Sequence, residues 1–273
     1  MRSKTLAKVL GACGLALIAV AALVPAAQAA KPPPPNERFA GCPSVKENPK
    51  SLVCLRTEIT GGYFQMGNKN VPITNPITLV GGVDENLGNF SYNAEGGMSK
   101  AKQKVPGGVI GLTGLTWLLE FLGSEALTLY AVTELAGTPD LNIFEEPLEL
   151  PIKVHLVNGV LGNNCYIGTN ANPIQLNLIT GTTNPPAPNK PITGKSPEMK
   201  FEGPLTVFNN GTFVDNSFAA PGASGCVLTL FGFIPVNIDG AVNLQSGFPA
   251  AAGTNATAQN YNLEILESEI VYP

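Results

Sequence analysis

Histidine and tryptophan are nearly missing from this chain, with one residue of each, and charged residues make up only 13% of it. No CxxC pair occurs. A structural zinc site needs four Cys or His ligands, so these shortages speak against one. A Ser/His/acid triad would have to run through His155, the one imidazole. Lys and Arg together number 16 against 20 acids, which leaves no basic stripe for nucleic acid. No cofactor motif and no catalytic constellation emerges.

What is present begins with a leader. Arg2, Lys4 and Lys8 form a positive head, followed by an uncharged run from Val9 to Val24, then Pro25 and Ala27-Gln28-Ala29. This order predicts a secretory signal peptide, residues 1–29, cleaved after Ala29. The 16-residue run is short of the roughly 20 needed to span a bilayer, so no membrane span is expected in the mature chain. Leu10-Gly11-Ala12-Cys13 matches a lipobox, but Cys13 opens the apolar run where a lipobox closes it. Export also removes three cations, making the net charge of −4 more negative. No wall-sorting or lipid-anchor signal is expected at Pro273.

Four cysteines remain after cleavage: Cys42, Cys54, Cys165 and Cys226. An even number in an exported chain predicts disulfides, and four cysteines allow three connectivities. Composition blocks favour Cys42–Cys54 with Cys165–Cys226. Residues 30–41, opened by Lys31-Pro32-Pro33-Pro34-Pro35, read as an extended spacer, and 42–273 as one all-β domain. A second proline-rich stretch, Thr182 to Pro197, reads as a long exposed loop inside that domain.

Strand patterns dominate. Ile152, Val154 and Leu156 alternate with Lys153 and His155, and Ile174, Leu176 and Leu178 with Gln175 and Asn177. Asn75-Pro76 and Asn172-Pro173 each read as a turn feeding a strand. Asn209-Asn210-Gly211 between Leu205–Phe208 and Thr212–Val214 predicts a hairpin. Further strands are expected over Leu127–Leu135, Val227–Phe233 and Leu263–Tyr272. The expected fold is a mainly β, antiparallel sandwich or barrel-like domain with two disulfides.

One short apolar helix is predicted over Val109–Leu122, despite Gly111 and Gly114. Buried core is the plainer reading; the alternative is an apolar lid or ligand contact formed by Leu115, Trp117, Leu118 and Phe121.

The remaining chemistry is thin. Gly222-Ala223-Ser224-Gly225-Cys226 approaches a nucleophile elbow but puts a cysteine where the second glycine belongs. Asn189 to Ser196 approaches a phosphate loop, yet opens on Asn189 and carries Pro191. Asp84 to Asn89 gathers oxygens without the EF-hand order, so a plain turn is expected. Paired carboxylates stay open as a hydrolase reading, with Glu120, Glu125, Glu134, Glu145, Glu146 and Glu149 as candidates, then Glu264, Glu267 and Glu269. Sequons occur at Asn89, Asn210 and Asn255.

Cys165-Tyr166-Ile167-Gly168, Asn172-Pro173-Ile174 and the run Thr182 to Gly194 give the chain its one likeness. Asp215-Asn216-Ser217-Phe218 and Pro221 to Cys226 extend it. With these segments the chain resembles a group of uncharacterised secreted actinobacterial proteins. The resemblance implies export and disulfides, and no activity. The expected role is that of a secreted, non-enzymatic extracellular or envelope-associated protein, structural or binding. A carrier of an apolar small molecule or lipid is the alternative, and a carboxylate hydrolase a further one.

Overall fold

The computed structural model describes residues 37–84, 89–118, 123–124, 126–141, 147–230 and 233–273. The predicted signal peptide, the lipobox cysteine and most of the spacer lie outside them. The strands are β1 (Val53–Met66), β2 (Lys69–Pro72), β3 (Ile77–Val83), β4 (Phe90–Ser91), β5 (Gly97–Met98) and β6 (Lys102–Lys104). Then come β7 (Tyr130–Leu135), β8 (Leu148–Val157), β9 (Tyr166–Ile167), β10 (Ile174–Leu178) and β11 (Glu198–Glu202). The last are β12 (Leu205–Asp215), β13 (Ala223–Ser224), β14 (Val227–Leu230), β15 (Ile234–Asn237) and β16 (Ala256–Glu267). Helices α1 (Gly108–Thr113), α2 (Asp239–Ser246) and α3 (Ser268–Val271) are short.

Two antiparallel sheets stack face to face. The larger runs β11-β12-β16-β1-β3-β4, with β2 on β1 and β5 on β3; the smaller runs β13-β9-β8-β7-β6, with β10 on β8. Alternation places Leu55, Leu79 and Leu263 of one sheet opposite Leu148, Leu150 and Leu178 of the other. The void between them measures only about 40 Å³. That admits about one water, so the interior is a packed core rather than a ligand chamber. The mainly β antiparallel expectation is met, and both Asn-Pro turns open strands, β3 and β10. The disulfides are Cys42–Cys54 and Cys165–Cys226, the pairing that composition favoured.

Several local expectations are corrected. The packed chain starts before Cys42: Phe39 is completely buried with Cys54, Leu205, Val207, Leu266 and Val271 on the outer side of the larger sheet. Leu205 to Val214 is no hairpin. Both halves pair with β16, and Asn209 and Asn210 bulge between Phe208↔Leu263 and Gly211↔Tyr261. Asn210 adopts the positive φ of 58° its sequence suggested, but within a bulge. The extra residue changes the parity of the strand, so that Phe208 and Phe213 both point into the core. Gly211 is required because a Cβ there would lie 2.4 Å from the Tyr261 ring.

The strand expected over Val227–Phe233 is β14, which ends at Leu230 and pairs with β15; residues 231–232 lie outside the described residues, and Phe233 is exposed. The last strand ends at Glu267, and Ser268–Val271 is a helical turn that brings Val271 onto Phe39. Within the predicted apolar helix, α1 is stopped by Gly114 at a φ of 72°, and helical backbone returns at Leu118. Leu119 to Leu122 lie outside the described residues. Trp117 is 41% exposed whereas Leu118 is 1% exposed, so core burial holds for Leu118 and fails for its neighbour.

Candidate functional site

Where β6 gives way to α1, Pro106-Gly107-Gly108 forces the chain to turn away from its strand. Pro106 cannot donate to a ladder, and both glycines take positive φ. Three backbone bonds hold the turn: Val105 N–H donates to Leu129, Gly108 N–H to Val105 and Val109 N–H to Leu127. The buried Gln103 fastens the facing loop. Its carbonyl accepts from the Thr74 and Asn75 N–H groups, at 2.9 and 3.0 Å, and its amide donates to the Asn75 carbonyl at 2.7 Å. Lys69 Nζ, its pKa lowered by burial, ties β2 to the Gly111 carbonyl of α1 at 2.6 Å.

Between these walls runs a groove of about 600 Å³. Its apolar lining comes from Pro72, Val105, Pro106, Ile110 and Leu127, and its polar lining from Thr74, Ser124, Thr128 and Lys104. The Asn158 amide donates to the Ala126 and Thr128 carbonyls, at 2.8 and 2.7 Å, and steadies the third wall. The volume falls within the 300–1,000 Å³ usual for small-molecule sites, and few convergent polar groups against an apolar lining is their usual chemistry.

Of the residues proposed from sequence as a lid, Leu115, Trp117 and Leu118 do not line this groove. Among the described residues Ile110 of that segment lines the groove; Leu115 packs against the core, Leu118 is in it, and Trp117 faces solvent. Phe121 lies outside the described residues. The composition-based reading missed Lys104 to Gly108, whose signal was the Pro-Gly-Gly break after the alternating Lys102-Gln103-Lys104-Val105.

On the outer face of the smaller sheet, His155 stacks on Tyr166, with ring centroids 4.3 Å apart. Its Nδ1 lies 3.6 Å from Glu134 Oε1, and Lys153 Nζ lies 3.7 Å from Oε2. Burial raises the Tyr166 pKa, and the Glu134 charge raises it further. Ser224 pairs with Tyr166 on the far side from His155. Two strand spacings, roughly 9–10 Å, therefore separate hydroxyl from imidazole, and no triad forms from them.

The other acids that the structure describes are spoken for or exposed. Glu264 contacts Arg38 at 2.5 Å and Arg56 at 3.5 Å, and Arg56 reaches Glu58 at 2.9 Å. Glu149, Glu267 and Glu269 are exposed. The buried Asp215 accepts from the Asn177 and Ser217 N–H groups, both at 2.8 Å; burial raises its pKa and these two bonds oppose the rise. Glu120, Glu125, Glu145 and Glu146 lie outside the described residues. Asp84 Oδ2 accepts from the Asn89 amide at 2.5 Å. Among the described residues no group of three or more His, Cys, Asp or Glu side chains could hold a metal ion.

Asn189, which stands at the head of the near-phosphate loop, donates its amide to the Asn216 and Asn255 carbonyls, at 2.8 and 2.7 Å. It is a loop fastener. Of the sequons, Asn89 and Asn210 are exposed and Asn255 is fully buried, which excludes a glycan at Asn255 in the folded protein. No described helix is long and apolar enough to cross a membrane.

No family model, curated protein or solved structure matches this chain.

Proposed function

We propose that this is an exported, non-enzymatic binding protein that takes an apolar small molecule or a lipid chain in the groove beside α1. The observation that carries the reading is the contrast between the sandwich interior and the groove. The sandwich interior holds about 40 Å³, whereas the groove offers about 600 Å³ with aliphatic walls. Removing a ligand's apolar surface from water there yields roughly 25 cal/mol per Å². The walls are held by backbone and amide bonds before any ligand arrives, which lowers the ordering cost of binding.

Export is part of the same reading. The leader pattern and the two disulfides support it, since disulfides persist in oxidising compartments. Membership of the secreted actinobacterial group is proposed on the same grounds, and an envelope component is the natural source of an apolar ligand.

Titration with a fluorescent apolar dye, followed by displacement with fatty acids, tests the site. Thr128→Trp, which fills the groove, should weaken dye binding at least tenfold, and Trp117→Ala should leave it unchanged. No saturable binding, or equal affinity in both variants, would sink the proposal. Amino-terminal sequencing of the protein recovered from culture medium should begin at Ala30.

A further inference from the structure

The larger sheet ends in β11, which pairs with β12 on one side. All five of its residues are exposed, Met199 by 56% and Phe201 by 71%. An open edge presents unpaired N–H and C=O groups, and two large apolar side chains on it make a template for another strand.

The turn determines which groups are open. Gly203 and Pro204 join β11 to β12, so the closing pair Glu202↔Leu205 is of the hydrogen-bonded kind. Counting back by twos, Glu198, Lys200 and Glu202 turn their backbone groups toward β12. Met199 and Phe201 turn theirs outward.

We propose that this edge is a self-association surface, on which a second copy of the chain adds its own β11 antiparallel about a two-fold axis at Phe201. The choice of a second copy comes from charge and hydrogen-bond matching. Outward-turned residues must oppose one another, which leaves five registers centred on the strand, and the two centred on Glu198 or Glu202 oppose that glutamate to its own copy. Centring on Lys200 opposes Lys200 to itself and Glu198 to Glu202, all like charges. Centring on Met199 opposes Phe201 to Pro197, which has no N–H to give. Centring on Phe201 opposes Lys200 to Glu202 twice, Phe201 to Phe201 and Met199 to Gly203.

Only the last register satisfies both requirements. Two such copies would join their larger sheets into one, with the Phe201 rings meeting at the seam. Five residues of edge bury less than the roughly 1,200 Å² at which standard interfaces begin. The dimer is therefore weak and concentration-dependent.

The test uses the full mature protein in sedimentation equilibrium over a wide concentration range, with circular dichroism as a control for folding. The expected result is reversible dimerisation. Lys200→Glu and Glu202→Lys should each weaken it at least threefold, and the double exchange should restore it, because opposite charges again face each other. Phe201→Cys should give a disulfide-linked dimer on oxidation, because a hydrogen-bonded pair sets its Cα atoms about 5.5 Å apart. The native cysteines are fully buried and will not compete. Lys200→Cys, which faces Glu202 across the seam, should cross-link at least tenfold more slowly. A monomer at every concentration, including one whose edge serves a foreign strand, overturns the proposal. So do faster cross-linking of Lys200→Cys and a double exchange that fails to restore association.

Discussion

Thr182 to Pro197 and Val109 to Leu118 are both interruptions in a β protein, and composition assigns them opposite fates. The first, polar and proline-rich, reads as solvated; the second, almost wholly apolar, reads as buried. In the fold the polar stretch is closed by the Thr182↔Thr193 bridge. Thr183 is buried and exchanges bonds with Ile192, each 2.9 Å from backbone N–H to acceptor. Asn189 and Asn216 fasten its tip through their amides. The apolar stretch buries Val109, Leu112 and Leu118 yet leaves Trp117 in solvent and Ile110 on an open groove. Short directional side chains hold a chain segment wherever backbone partners exist, whereas apolar side chains are covered only where a neighbouring element supplies the second surface.

The largest test of this contrast removes the bridge that brackets the polar stretch. Replacing Cys165 and Cys226 by Ser should cost about 4 kcal/mol in urea unfolding, as expected for a cross-link closing roughly 60 residues. A loss no larger than that of an exposed substitution would show that the amide bonds alone organise this half.

Asn255→Ala should come next, at about 3 kcal/mol. The buried Asn255 amide donates to the Phe218, Ala250 and Ala251 carbonyls, and its Oδ1 accepts from the Gly67 N–H. Alanine takes the partner from the Phe218 carbonyl and the Gly67 N–H, while the Ala250 and Ala251 carbonyls keep the Ala220 and Thr254 N–H groups. Leu118→Ala should cost a similar amount and Trp117→Ala about 1 kcal/mol, by the same denaturant measurement. Equal losses at the two neighbours would erase the distinction between the buried and open sides of the apolar stretch.

Gly253→Ala should cost about 2 kcal/mol. Gly253 has a φ of 82°, and a Cβ there would stand 2.4 Å from the Pro186 carbonyl, pushing the polar loop off its support. The smallest effect concerns Asp215, which lies at the end of β12. Its carboxyl titrates above the ordinary value because it is buried, so the folded protein holds this proton more tightly than the unfolded chain does. That contribution is complete below the ordinary aspartate range and is lost as pH rises through the elevated value. Asp215→Asn should flatten this part of the stability-against-pH curve; an unchanged slope would contradict the assignment.

Much of the sheet was legible because strand alternation is local. Ile152 to Leu156 and Ile174 to Leu178 carry their facing in their own order, and the Asn-Pro pairs mark where β3 and β10 begin. Asn209-Asn210-Gly211 shows the limit. Positive φ at Asn210 suits a hairpin and a bulge equally, and the choice fell to β16, long enough to pair with both halves of β12. Phe39 misled for a similar reason: nothing beside it in the chain announces Leu205, Val207 or Val271.

The groove was less legible still. Its walls come from β2, the turn before α1 and the approach to β7, segments that share no periodic pattern. Composition and spacing alone determined the strand alternation and the backbone freedom at turns, because each depends on residues within a few positions of one another. Which apolar residues are covered, whether a turn residue bends or bulges a strand, and where the open groove lies were decided by tertiary structure. Those outcomes depend on surfaces contributed by elements far apart in the chain, and the sequence near any one of them does not name its partner.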